Sequence, residues 1–155
     1  PSAVIRSTFL VVFPGENRAD FRMLQAFQQE AQFDWLGTFA YSREEDTSAY
    51  RCQGPLRYRL GRRVREKRKE LIENRQQQIM EERMDRFVGS CMDVLIEEKV
   101  EEEDLFLGRS YAQAPEVDGL IVVHAENLRP GDVLQCRITG RNGIDLEALP
   151  ASDDS

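Results

Sequence analysis

At Gly89 the chain changes texture, and the residues after it restrict the possible folds more than any other feature. Five short β-rich runs occupy about 60 residues, at 91–96, 105–111, 120–125, 133–139 and 144–149. Turn chemistry separates them, at Pro115, Asp118-Gly119, Pro130-Gly131-Asp132 and Arg141-Asn142-Gly143. Asn142-Gly143 is a hairpin signal, because tight hairpin turns favour this pair. Strands this short and this closely spaced predict a small closed barrel of the OB type.

The first half has a different period. VIRSTFLVVF at 4–13 is a nearly continuous apolar and β-branched run, which predicts a strand buried on both faces, as in parallel α/β sheets. Pro14-Gly15 breaks the run. Asn17 then predicts a helix cap, with Asp20 three residues on as its partner. Phe21, Leu24, Phe27 and Ala31 mark one helical face, and residues 35–41 form a second strand. Strand, helix, strand is a parallel βαβ unit. Residues 51–61 are loop-like. Residues 62–87 lack Pro and Gly and are rich in Arg, Lys, Glu and Gln, which predicts a long helix. Its narrow apolar stripe is Val64, Leu71, Ile72, Ile79, Met80, Met84 and Phe87.

The net charge of -7 hides a segregation. Residues 57–87 hold 11 basic and 6 acidic side chains, or +5, whereas residues 88–155 hold 5 basic and 15 acidic, or -10. Such asymmetry bears on partners and association rates rather than on fold. No stretch approaches the roughly 20 apolar residues of a membrane span, and the first residues are not expected to form a signal peptide. The chain starts at Pro1 and reads as a strand almost at once, the pattern expected of a fragment of a longer protein. Cys52, Cys91 and Cys136 are about 40 residues apart, without metal-ligand spacing. They are expected to be free thiols in a reducing cytosol. The single His124 ends an apolar run and receives no catalytic role.

Three ordered blocks carry a resemblance. RSTFLVVFPGE at 6–16 resembles the late barrel strand and turn of radical-SAM methylthiotransferases, and FAYSREEDT at 39–47 resembles the next strand and loop. The basic helix resembles their linker. Gly108-Arg109-Ser110-Tyr111, APEVDG at 114–119 and Pro130-Gly131-Asp132 resemble their C-terminal TRAM domain. The resemblance runs from about residue 4 to 149. It implies an α/β plus all-β chain. Residues 1–56 would be the C-terminal part of a TIM-like radical-SAM barrel and 57–87 a basic linker helix. Residues 88–150 would be a five-stranded OB-like TRAM barrel, and 151–155 a disordered tail.

The resemblance also implies a chemistry. These enzymes use S-adenosylmethionine and two 4Fe-4S clusters, with the cluster cysteines upstream of the matched region. Cys52, Cys91 and Cys136 match none of them, so the chain is expected to hold no metal ligand and no catalytic residue, and to be inactive alone. Binding residues of α/β barrels gather at the C-terminal strand ends. This makes Phe13, Pro14, Gly15, Glu16 and Tyr41, with Arg6 earlier on the strand, candidates for the S-adenosylmethionine pocket. Each has a plainer reading: Glu16 as an acid at a helix N-terminus, Arg6 as a core-edge cation, Tyr41 as packing. In the TRAM block, Arg109, Tyr111, Glu116 and Asp118 are candidate substrate contacts, and 115–119 is equally a well-made turn. The chain departs from the family pattern at three positions. Val12 and Asp46 replace glycines, which permit close approach or positive φ, and Gln113 replaces an aspartate.

Within the family, GRSYAQAPEVDG at 108–119 is most similar to the branch that methylthiolates the β-carbon of an aspartate in the twelfth protein of the small ribosomal subunit. A relative branch acts on an adenosine in tRNA. The -10 charge favours the protein substrate, because an acidic surface repels phosphates and attracts a basic polypeptide. The basic helix leaves RNA contact open, although its charges also read as a solvated face. A different class remains as well: a non-catalytic OB-like module binding basic protein or RNA.

Overall fold

The computed structural model describes residues 3–52, 54, 58, 61–101, 103–115 and 117–151. The chain forms two compact units, Pro1–Met80 and Glu81–Ser155.

In the first unit, β1 (Arg6–Val11) and β2 (Trp35–Ala40) pair in parallel, with Arg6 opposite Trp35 and Val11 opposite Ala40. Helix α1 (Arg18–Ala31) crosses between them. Its start is the predicted capping box. The Asn17 side-chain oxygen accepts from the Ala19 N–H at 2.6 Å and the Asp20 N–H at 3.2 Å, and Asp20 accepts from the Asn17 N–H at 2.9 Å. A short helix α2 (Ser48–Cys52) takes the start of the stretch expected to be loop. Helix α3 (Arg62–Met84) is continuous for 23 residues, and one turn of 3-10 helix carries it on to Phe87.

The core of this unit is Phe9, Val11, Phe21, Phe33 and Ile72. Three details depart from expectation. First, β1 is not buried on both faces: it alternates, and Leu10 is 48% exposed beside Arg6 and Thr8. The other face is open toward the carboxyl ends of the strands, where Leu10 and Phe39 are exposed, while Trp35 at its start is buried. Second, Gln28, not Phe27, fills the inner face of α1. Its amide donates to the Ile72 carbonyl at 3.0 Å and to Gln76 Oε1 at 3.1 Å, and the Gln76 amide donates to the Phe33 carbonyl at 2.8 Å. Hydrogen bonding makes burial of these amides tolerable. Third, Val64 and Leu71 face outward, and the buried face of α3 within this unit is Arg65, Ile72, Gln76 and Ile79.

The second unit is the predicted five-stranded closed barrel. Its strands are β3 (Cys91–Lys99), β4 (Leu105–Arg109), β5 (Ile121–His124), β6 (Val133–Asn142) and β7 (Asp145–Pro150). The order around the ring is β3-β4-β5-β7-β6, and β6 closes back onto β3. All pairs are antiparallel except β5 with β7. Alternate residues point inward, so Met92, Val94, Ile96, Phe106, Ile121, Val123, Cys136, Ile138, Leu146 and Ala148 make one core. The Arg141 guanidinium forks onto both carboxylate oxygens of Asp85 and holds the 3-10 turn against β6. Cys52 and Cys91 are exposed free thiols, whereas burial, then proximity to Cys91, pushes the Cys136 thiol up to about 11. No helix among the described residues is long and apolar enough to cross a membrane. The tail residues 152–155 lie outside the described residues.

Candidate functional site

The parallel pairing sets the carboxyl ends of β1 and β2 side by side. The Tyr41 N–H donates to the Val11 carbonyl at 2.9 Å, so the loops that leave the two strands start together. After β1 the chain turns through Val12 to Glu16, and the Glu16 N–H closes the turn on the Phe13 carbonyl at 2.9 Å. The Glu16 carboxylate then works on both sides. One oxygen accepts from the Val12 N–H at 2.7 Å, and the other is ion-paired with Arg68 of α3. Both side chains of that pair are mostly buried, at 12% and 13% exposure, and the Arg68 guanidinium also lies 4.8 Å from the centre of the Phe21 ring. A carboxylate so engaged serves to hold the turn.

The two glycine-to-larger departures coincide with backbone strain. Val12 has φ 59° and Asp46 has φ 64°, the left-handed region that glycine tolerates and a β-branched residue resists. The Glu16 contact to the Val12 N–H helps to hold the first of them.

An aromatic wall lines the strand ends. The Phe13 and Tyr41 rings meet edge-to-face at 5.6 Å, and Tyr41 meets Tyr58 the same way at 6.1 Å. Arg65 stacks 3.8 Å over the Tyr58 ring and donates to the Tyr58 carbonyl at 2.6 Å. Beside this wall lies a cavity of about 600 Å³ lined by Tyr41, Ser42, Tyr58, Arg62, Arg65 and Glu66, with Ala40. The Tyr41 hydroxyl is buried and has no hydrogen-bond partner among the described residues. Leaving a buried hydroxyl unmatched costs about 1–3 kcal/mol, so the position suits a polar ligand atom. Phe13, Pro14, Gly15, Glu16 and Tyr41 are thus neighbours. Arg6 is not: it sits at the opposite end of β1, roughly 20 Å away at 3.3 Å per residue. The sequence reading missed Tyr58, Arg65 and Arg68. The signal for the two arginines was their spacing with Ile72, which puts 65, 68 and 72 on one helical face.

In the barrel unit, the candidates separate by what they touch. Arg109 is paired with Glu97 at 2.6 Å across the bulged register of β3 and β4. Tyr111 is 63% exposed. Asp118 accepts from the Ala114 N–H at 2.7 Å and so closes its own loop. Glu116 lies outside the described residues. Gln113 is buried, and its side-chain oxygen accepts from the Ser110 N–H at 3.0 Å and the Ser110 hydroxyl at 2.8 Å. Its amide nitrogen has no partner among the described residues, which is the cost of an amide where the family pattern has a carboxylate. Asp145, which the sequence reading did not single out, accepts from the Leu120 N–H at 2.9 Å and anchors the loop to the start of β7. Glu97, Glu98, Glu101, Glu103 and Asp104 form an exposed acidic rim around the β3–β4 turn. No group of three or more potential metal ligands occurs among the described residues.

Residues 88–150 match the TRAM domain family. The chain is 41% identical to ribosomal protein uS12 methylthiotransferase RimO of Treponema denticola, over 94% of this chain and 33% of that protein. It is 42% identical to the RimO of Aquifex aeolicus, over 94% of this chain and 33% of the relative. The RimO of Shewanella amazonensis is 42% identical over 99% of this chain and 32% of its own length. The chain thus spans about a third of the length of the curated relatives it matches, and the likeness takes in nearly all of it.

Proposed function

We propose, from a TRAM domain at 88–150 and a RimO-type likeness over nearly the whole chain, that this is the C-terminal third of a cytosolic radical-SAM methylthiotransferase acting on ribosomal protein uS12. That extended identity is the observation that carries the reading. In it, β1, α1 and β2 are the last part of an α/β barrel. The exposure of Leu10 and Phe39, 48% and 60%, supports this, because parallel strands ordinarily have both faces covered.

The strand-end loops fit one side of an S-adenosylmethionine pocket. Phe13 and Pro14 offer apolar surface, and Tyr41 offers the unmatched hydroxyl. Glu16 with Arg68 keeps the Val12–Glu16 turn in place. Phe13, Pro14 and Tyr41 would hold S-adenosylmethionine on this side, and the chemistry it would supply when bound is hydrogen abstraction from an unreactive C–H bond. The ligands of both clusters belong to the rest of the parent enzyme, so the 155 residues alone are inactive in this reading. The TRAM barrel receives the substrate. Its -10 charge, concentrated in the rim at Glu97 to Asp104, attracts a basic ribosomal protein; Arg109 is paired with Glu97 of that rim, and exposed Tyr111 follows the far end of β4.

The test is reconstitution of the parent enzyme with both clusters, then mass spectrometry of uS12 and of tRNA from the same reaction. The expected product is uS12 with one methylthio group on an aspartate. Modification of a tRNA adenosine instead overturns the substrate assignment. A parent reading frame without CxxxCxxC overturns the enzyme and leaves a binding module.

A further inference from the structure

We infer that the groove between α1 and α3 docks the phosphate backbone of RNA. The groove encloses about 510 Å³, and five cations line it: Arg18, Arg22, Arg63, Lys67 and Arg68. Among the described residues, only Arg68 is neutralised, by Glu16. No ion pair engages Arg18, Arg22, Arg63 or Lys67 among the described residues. Charge of one sign is therefore concentrated in a concave surface, where low-dielectric walls focus the field.

The local sequence accepts a cost to put it there. Arg62, Arg63 and Arg65 occupy the first turn of α3, which has no acidic residue, although a helix N-terminus disfavours cations. Four of the five groove cations are arginines, whose planar guanidinium matches a phosphate in two parallel hydrogen bonds. Val64 and Leu71, the two residues of the α3 stripe that turned outward, form an apolar floor on which sugar and base edges can rest. The choice of RNA over an acidic protein rests on the proposed function, because a ribosomal-protein substrate sits among RNA in an assembled subunit. On this account the chain has two docking surfaces of opposite sign: the acidic barrel for the protein and the basic groove for the RNA beside it.

The test uses the full chain, a fluorescein-labelled RNA hairpin and poly-L-glutamate, with fluorescence anisotropy across a salt series. RNA binding should weaken steeply as salt rises. R18A, R22A, R63A and K67A should each weaken it roughly threefold or more at fixed salt and lower the log–log salt slope by about one. R129A, on the barrel unit, should leave both unchanged. Each variant's thermal unfolding midpoint shows that it is folded, and the positions are surface side chains. Equal RNA binding by the quadruple variant overturns the inference, as does tighter binding of poly-L-glutamate than of RNA. Titration of isolated uS12 in parallel keeps the two claims apart: the groove variants should bind it like the parent chain, and failure of uS12 to bind at all counts against the proposed function alone.

Discussion

Val12 holds a left-handed backbone at φ 59° while its side chain packs against the Phe9, Val11 and Phe21 core. Two terms oppose each other there: strain of about 1–3 kcal/mol and a partly buried apolar side chain of similar worth. Substituting Val12→Gly should therefore change unfolding stability by less than about 1 kcal/mol. Val11→Ala, one residue earlier at full burial and ordinary φ, should cost about 2 kcal/mol. Urea unfolding of the two variants reads the contrast, and a V12G loss as large as that of V11A would show that no strain is relieved. The thiols give a second prediction at this scale. Cys52 and Cys91 should react with a disulfide reagent at pH 8 in the native chain. Cys136, buried and shifted up to about 11, should react only after unfolding. Three fast thiols would contradict the barrel packing.

At the scale of elements, α1 and α3 are joined by amides as well as by apolar side chains. Gln76→Leu leaves the Gln28 amide and the Phe33 carbonyl short of a partner in a buried interface. It should cost about 2–3 kcal/mol, measured by chemical denaturation. The Arg141–Asp85 fork has a pH signature. The hydrogen bond from Arg141 holds the Asp85 carboxyl below its usual range. A depressed carboxylate stabilises the fold above its unfolded pKa, and that help is lost as pH falls through the folded value. The melting-temperature difference between the chain and D85N should be present at pH 7 and shrink progressively as pH falls below the usual carboxylate range, about pH 4. A difference at pH 3 as large as that at pH 7 would sink the assignment. These elements also show what the sequence could and could not reveal. The barrel strands were legible because inside and outside alternate residue by residue, and polar turns punctuate them. The capping box was legible because it is local. The inward turn of Gln28 was not, since its reward is a pair of partners 44 and 48 residues away. Val64 and Leu71 read as core for the complementary reason: periodicity marks a face but does not say how far along the helix that face is covered. The strand-end site was legible only in part. Glu16 was visible as an acid near a helix start, whereas its partner Arg68 lies 52 residues on, inside a run of look-alike cations.

At the scale of the whole molecule, the division between two self-contained cores is the leading fact. The barrel has its own closed ring of strands and its own interior, and the Asp85–Arg141 fork lies inside it. A fragment of residues 81–155 should therefore fold alone, with a single cooperative thermal transition and strand-rich circular dichroism. A non-cooperative melt would show that the barrel depends on the first unit. The charge division runs along the same line, with basic residues before the barrel and acidic ones in it.

The ring order gives β7 a particular place in time. It is the last strand of the barrel to be synthesised, yet it lies between β5 and β6 and joins them. Until residues 145–150 emerge from the ribosome, β5 and β6 each keep one open edge, able to recruit a stray strand from another chain. The exposed interval ends in one step, when a single six-residue segment seals both edges. A nascent copy stalled just short of that point leaves both edges open to pairing, and the closed ring removes them.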